Sequence, residues 1–422
     1  MRRPGRRWEA GAAAVPLRFP LQPSFPAVFR SRFSSVVVQP RFVLVLYSVL
    51  LLVATAQQYL KHTIDNYKIF TVPFWHLLAG RDLYADYPTL YSVPYKYSPT
   101  FALFMGWAAA MPDWLGLLLW NALNLAVCYP ALRRLFPDQR RGLVLLLLLA
   151  IDTLTALQNS QSNNLLLGLM LWTYINLESG KYRWAGLCIA LAFFIKVYGI
   201  GIGLIFLFYP GWWRAALWAV AFGILLALAP LLVASWPEFV RMYEGWYTIV
   251  RVSATGVQLS VMGVLETWFG WPIPKGVVQG LGLATLLLPL LHWRSWAEVH
   301  YRRLYVAAIL IFVVIFNQMA ESPTFVIAVA GFGLWFLAYH RSVPGLAWGL
   351  LGLVLVFTSL SPSDLFPAAV RNGVFVPYKI KAVPMILAWL LIMVQLLWYP
   401  RWCARLAQAD AESARHTPEL AA

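Results

Sequence analysis

Apolar runs follow one another along almost the whole of this chain, broken by short polar bends. The first clear run is residues 42–60 (FVLVLYSVLLLVATAQQYL). Others recur at 98–111, 114–132, 143–157, 163–177, 184–195, 197–209, 214–234, 272–292, 303–317, 322–339, 345–360 and 380–399. A bilayer core takes about 20 apolar residues per helix, so the longer runs read as membrane spans. Several runs are shorter and meet in pairs at a polar bend. Residues 143–157 and 163–177 flank QNSQSNN, and 184–195 and 197–209 flank Lys196. Irregular backbone at membrane depth is tolerated only in a cavity or buried in protein, so these bends predict a bundle cut by a deep polar cavity. The pattern predicts an all-α polytopic membrane protein with about 11–13 spans.

Two stretches depart from it. Residues 61–97 are mostly polar, and their one apolar part, KIFTVPFWHLLAG, is too short and too interrupted by Pro73 to span. It is suited to the membrane surface. Within 236–258, Trp236, Phe239, Val240, Tyr243, Trp246, Tyr247 and Val250 recur at three- and four-residue steps, while Glu238, Arg241 and Glu244 fall off that face. This predicts an aromatic amphipathic helix in the interface plane.

Composition narrows the class. Of 422 residues, 61% are hydrophobic, against about 45–50% in soluble domains. One membrane domain over 42–400 fits this better than several soluble ones. The net charge of +16 includes eight arginines within residues 1–41, a stretch that reads as a disordered cytoplasmic lead with no cleavable signal peptide. Residues 401–422 read as a cytoplasmic tail. Other arginines sit at the ends of apolar runs, as at Arg133, Arg134, Arg140, Arg141, Arg294, Arg302 and Arg303. That placement marks cytoplasmic loops and argues against nucleic-acid binding, which would gather the charge on one face. The N-terminus then lies inside, and 61–97 is the first extracytoplasmic loop. Further on, 178–183, 211–214, 294–303 and 340–341 read as inside. Residues 158–164, Lys196, 236–258, 317–321 and 361–379 read as outside. One conflict remains at this level: if both 98–111 and 114–132 cross, residues 133–141 fall outside. Either one of the two is re-entrant or the charge rule fails there. Cys128, Cys188 and Cys403 show neither metal-ligand spacing nor a disulfide framework, and no HExxH-like spacing of histidines suggests zinc.

Candidate chemistry gathers on the outer side: Asp65, Tyr95, Lys96, Gln161, Asn163, Asn164, Lys196, Tyr198, Gln258 and Glu321. Each has a plainer reading. Asp65 and Glu321 would serve as helix caps, the amides of QNSQSNN as glue between helices, and Lys196 as a side chain snorkelling to headgroups. Asp82 and Asp86 read as turn residues. Asp152 falls at membrane depth and reads first as a paired group inside the bundle.

Four motifs carry a family resemblance. They are Asp65, Asn66 and Tyr67 followed by the GRDLY turn of Gly80, Asp82 and Tyr84; the aromatic lead into Pro99 (YKYSP, Tyr95 to Pro99); Gln161 and Asn163 before an apolar helix; and Phe194, Lys196 and Tyr198 at a bend. A weaker match is Glu321 to Thr324. In order and spacing, over about residues 42–400, the chain resembles glycosyltransferase family 87, polyprenyl-phosphate-sugar-dependent membrane transferases of the GT-C class. It departs at Val197, where proline is common, and at Ser160, where a glycine often precedes the glutamine. The resemblance implies a polyprenyl-phosphate-linked hexose such as mannose as donor and an extracytoplasmic glycolipid or glycan as acceptor. It also implies a bacterial inner-membrane location and no tightly held metal, although Asp65 with Asp82 leaves a metal alternative open. In that scheme Asp65 is the general base, Lys196 and Tyr198 bind the donor phosphate, and Tyr95, Lys96, Gln161, Asn163, Asn164, Gln258 and Glu321 bind sugar or acceptor. Other classes remain open to the residues themselves: a transporter or lipid flippase, favoured by broken helices and Asp152, and a lipid-glycan polymerase or ligase.

Overall fold

The computed structural model describes residues 38–91, 93–252, 259–271 and 274–404. The basic lead up to residue 37, the tail from 405, and Gln258 lie outside the described residues. Within them every regular element is helical.

Helix α1 (Pro40–Leu60) opens on a proline in its first turn, where a missing N–H costs nothing. It buries a single stripe, Val43, Tyr47, Ala54 and Gln58, and leaves Leu44, Val45, Leu52 and Val53 more than half exposed. An exposed aliphatic face of this size suits lipid as its solvent. Helix α2 (Asp65–Leu78) follows and runs through Pro73 without a break. Residues 61–97 are therefore partly helical, and Asp65 is the first residue of α2, not part of an open loop.

Residues 98–111 fall into two short pieces, α3 (Pro99–Phe104) and α4 (Gly106–Ala109), divided at Met105. Six residues of helix rise only about 9 Å. This run therefore dips without crossing, and the apolar run after it forms α5 (Asp113–Arg134), which has 22 residues. The conflict over residues 133–141 disappears, because one pass fewer precedes them.

The chain continues through α6 (Gln139–Gln158), α7 (Asn163–Glu178), α8 (Tyr182–Ile195), a tight 3₁₀ helix (Val197–Phe208) and α9 (Trp212–Leu228). Then come α10 (Trp236–Val252), α11 (Val261–Phe269), α12 (Lys275–Leu287), α13 (Val299–Ile315), α14 (Phe325–Tyr339), α15 (Pro344–Leu353) and α16 (Val383–Leu397). Among the described residues, six helical stretches are long and apolar enough to cross a bilayer, and four apolar ones are shorter. Several of the shorter ones end at polar bends, as α8 does at Lys196.

Helices α6, α13, α14 and α16 form the centre. The stretch Ser322–Ser342 is 89% buried, while Trp212–Leu232 is only 11% buried and lines the outside. Small residues make the close approach: a Cβ on Gly331 of α14 would lie 2.7 Å from the Ala307 carbonyl of α13. Gly168 of α7 meets the backbone at Cys128 of α5 in the same way. With no hydrophobic force between helices in lipid, such fits supply much of the cohesion. The amphipathic helix is present as α10. It lies over the 80–97 segment, with Gly245 against the Tyr84 ring and Trp246 stacked 6.2 Å from Phe194.

Candidate active site

Four bends meet around one lysine. The first joins α6 to α7. Ser160 takes a left-handed backbone, φ +49°, which an L-residue adopts at a cost of about 1–2 kcal/mol. Three bonds hold it there. Trp120 Nε1 donates to the Ser160 carbonyl at 2.8 Å, and Gln58 Nε2 donates to Ser160 Oγ at 2.7 Å and to the Gln158 carbonyl at 2.6 Å. The glycine common at this position in the resembling family has a physical reason here.

The second bend ends α8. Lys196 is extended (φ −147°, ψ 122°) and partly buried. Its Nζ donates to Asn163 Oδ1 at 2.7 Å and to Gln161 Oε1 at 3.2 Å. The Tyr198 hydroxyl reaches the same Asn163 Oδ1 at 3.5 Å. The Tyr97 ring lies 5.8 Å from Nζ, within cation–π range.

The third segment delivers that ring. Gly80 turns the chain at φ +65°, and Asp82 Oδ1 accepts the Tyr84 N–H at 2.9 Å. The Tyr84 hydroxyl then donates to the Tyr97 carbonyl at 3.0 Å. Ser98 caps α3 and donates to the Phe194 carbonyl at 2.6 Å, stitching the segment to the end of α8. The GRDLY turn thus acts through Tyr97.

The fourth bend precedes α14. Glu321 is exposed, its N–H donating to Thr324 Oγ1 at 3.4 Å. Its charge acts on Lys196, Tyr97 and Tyr198, but it makes no ion-pair contact with the lysine among the described residues. The ammonium is therefore held by neutral oxygens, and its charge is left for an anion.

Asp65 flanks the first bend. It is exposed and free of hydrogen bonds and ion pairs among the described residues, while the neighbouring Asn66 donates to the Asn159 carbonyl at 2.9 Å. Asn164 is fully buried with both amide atoms unpartnered, and Ser162 Oγ and Asn163 Nδ2 are also unpartnered. Unmet polar groups of this kind are what a hydroxyl-rich ligand would satisfy. Tyr95 is fully buried and donates its hydroxyl to the Ser98 carbonyl at 2.8 Å, so its role here is to hold the turn. Lys96 is not brought to the lysine cluster by any hydrogen bond or ion pair. Lys68 is bound to Asp113 at 2.6 Å. Among the described residues no three of His, Cys, Asp or Glu converge on one point, and the Asp82 carboxylate is engaged in its turn.

The sequence profile of glycosyltransferase family 87 matches residues 95–323, just over half of the chain. The chain belongs to glycosyltransferase family 87. The matched stretch takes in Tyr97, Gln161, Asn163, Lys196, Tyr198 and Glu321, and begins beyond Asp65. Among curated proteins none matches the chain. As a family 87 glycosyltransferase it moves a sugar from a donor to an acceptor, and the helical bundle places that chemistry in a membrane. Sequence reasoning named Tyr95 from the YKYSP run; the ring beside Lys196 is that of Tyr97 in the same run. Lys381, at the start of the last apolar run, belongs to no motif in the sequence.

Proposed function

We propose that this family 87 enzyme is an inverting transferase that moves a hexose, mannose foremost, from a polyprenyl phosphate to an extracytoplasmic glycolipid or glycan. The observation that carries the reading is the Lys196 ammonium, held on the amide oxygens of Gln161 and Asn163 with no carboxylate in ion-pair contact. As the anomeric C–O bond breaks, its electron pair passes to the phosphate, whose negative charge grows. A fixed cation in a partly dry site stabilises that growing charge far more than water-exposed charge would. Asp65 supplies the other half. Its free, exposed carboxylate takes the proton of the acceptor hydroxyl as that oxygen attacks the anomeric carbon from the opposite face. One displacement inverts the centre. Unpartnered amides at Asn163 and Asn164 suit sugar hydroxyls. The sidedness is supported by charge. With 98–111 dipping and not crossing, the arginines at 133–141 share a side with the N-terminal lead, and the four bends fall on the other.

The test is transfer by purified protein in detergent, given polyprenyl-phosphate-mannose and a lipid extract as acceptor. Lys196→Met and Asp65→Asn are each expected to lower transfer by about 10²-fold or more while the protein remains folded. Parental activity in Asp65→Asn rejects the base assignment, and parental activity in Lys196→Met rejects the phosphate assignment. Polyprenyl-phosphate-glucose in a parallel reaction reports the choice of sugar.

A further inference from the structure

The opposite end of α8 carries a second cluster that this chemistry does not use. Fourteen residues of helix, about 21 Å of rise, separate it from Lys196. There the bends at 178–183 and 211–214, two separate basic loops in the sequence, flank an open cavity of about 480 Å³. Its lining includes Lys181, Arg183 and Arg214 together with Trp184, Trp213 and Trp218, and no carboxylate. The Arg183 guanidinium lies 5.3 Å from the Trp218 ring and 5.8 Å from Trp184, and Arg214 lies 5.2 Å from Trp213. The indoles thus hold the two guanidinium groups without neutralising them. None of the three cations has an ion-pair partner among the described residues. Glu178, the nearest acid in sequence, is taken by Arg302 at 2.7 Å and by the Tyr209 hydroxyl at 2.8 Å.

We infer that this cavity binds the phosphate headgroup of an anionic phospholipid, at the membrane face opposite the candidate active site. Charge complementarity names the headgroup: three uncompensated cations, two of them planar donors suited to phosphate oxygens. Helices α8 and α9 both start here without a side-chain cap; the Trp184, Trp212 and Arg214 N–H groups bond back to the Lys181, Tyr209 and Gly211 carbonyls, and the positive ends of both helices favour the same anion. Position names the lipid. Trp184 and Trp213 are about half exposed at helix ends, where indoles sit at a membrane interface. From the cavity runs α9, whose apolar stretch is only 11% buried and gives acyl chains a surface to follow.

The experiment uses the full chain in nanodiscs of phosphatidylcholine containing a minor fraction of phosphatidylglycerol, released into native mass spectrometry. Phosphatidylglycerol is expected to be retained in excess of its share. Arg183→Gln with Arg214→Gln should lower that retention by about thirtyfold, since each basic residue near anionic lipid contributes about fivefold. Arg140→Gln with Arg141→Gln, on a different basic loop, should leave it unchanged. Lys181→Gln alone, at an exposed turn, gives a smaller loss in the same direction and covers the case in which the double variant does not fold. Equal retention of phosphatidylcholine, or equal effects of the two arginine pairs, overturns the site. Binding of inorganic phosphate without lipid, with the same sensitivity to Arg183 and Arg214, overturns the lipid assignment.

Discussion

Asp152 holds a buried charge that the proposed chemistry leaves alone. It is 1% exposed, accepts a bond from Ser359 Oγ at 2.5 Å, and stands 3.7 Å from the Lys381 ammonium, itself 4% exposed. Lys381 also donates to the Thr358 carbonyl at 2.6 Å and lies 5.3 Å from the Phe325 ring. Removing one partner of a buried pair costs about 3–5 kcal/mol, because the other charge is stranded. Asp152→Asn and Lys381→Met should each lower unfolding stability on that scale in detergent, and the double variant should lose clearly less than the two added. Additive losses would show that the pair is not coupled. That Asp152 needs a partner was legible in the sequence; that the partner is Lys381 was not, since nothing local links residues so far apart. His76 makes a second case. It is buried on α2, its ring centroid 4.2 Å from that of Tyr87, and burial with Arg81 nearby lowers its pKa. The unfolded chain then takes up a proton near pH 6.5 before the folded one does. Stability should fall as pH drops below about 6.5, and His76→Leu should flatten that part of a pH–stability profile. Asp65 stood out in the sequence as a lone acid after the first span. Its neighbour Lys68 did not declare its purpose until Asp113 was seen beside it.

Elements show where hydropathy alone misleads. Residues 98–111 have the apolar content of a pass but not its continuity: Met105 divides them, and Ser98 and Pro112 fix the ends. Pro73 sits inside α2 without ending it, and the helix at 14 residues stays too short to cross. Both outcomes depend on neighbours, such as the Phe74 ring beside Gly106, that a local pattern does not contain. The bend at Lys196 is a case where local rules do work. Lys196 is extended and Val197 opens the next helical turn, which is the backbone a proline at 197 would impose on both residues. Val197→Pro should therefore be accepted, with unchanged transfer and a stability gain of about 0.4–1 kcal/mol by thermal denaturation. A loss of folding would mean that the N–H of Val197 is needed. Ser160→Ala keeps the left-handed bend but loses the bond from Gln58, and should cost about 1 kcal/mol in the same assay.

Across the whole molecule, charge is buried at two levels. Near the candidate site the lysine meets only neutral oxygens. At the other end Glu178 of α7 receives Arg302 of α13 through two bonds of 2.7 and 2.8 Å, with Tyr209 closing the group. Arg302→Met should loosen that end by about 3–5 kcal/mol, yet leave transfer per folded molecule unchanged, as it lies a full helix from Lys196. The class of bundle was legible from hydropathy. The convergence of residues 97, 161, 163, 196 and 321 was not, because it is a property of packing between distant segments. That convergence also sets an order of events during synthesis. Lys196 leaves the ribosome with Gln161 and Asn163 already made, but well before the helix that follows Glu321 and fills the centre of the bundle. A chain stopped short of α14 has the partners of the Lys196 ammonium but not the most buried helix of the bundle. The last quarter of the protein thus supplies the helix around which the earlier three quarters close.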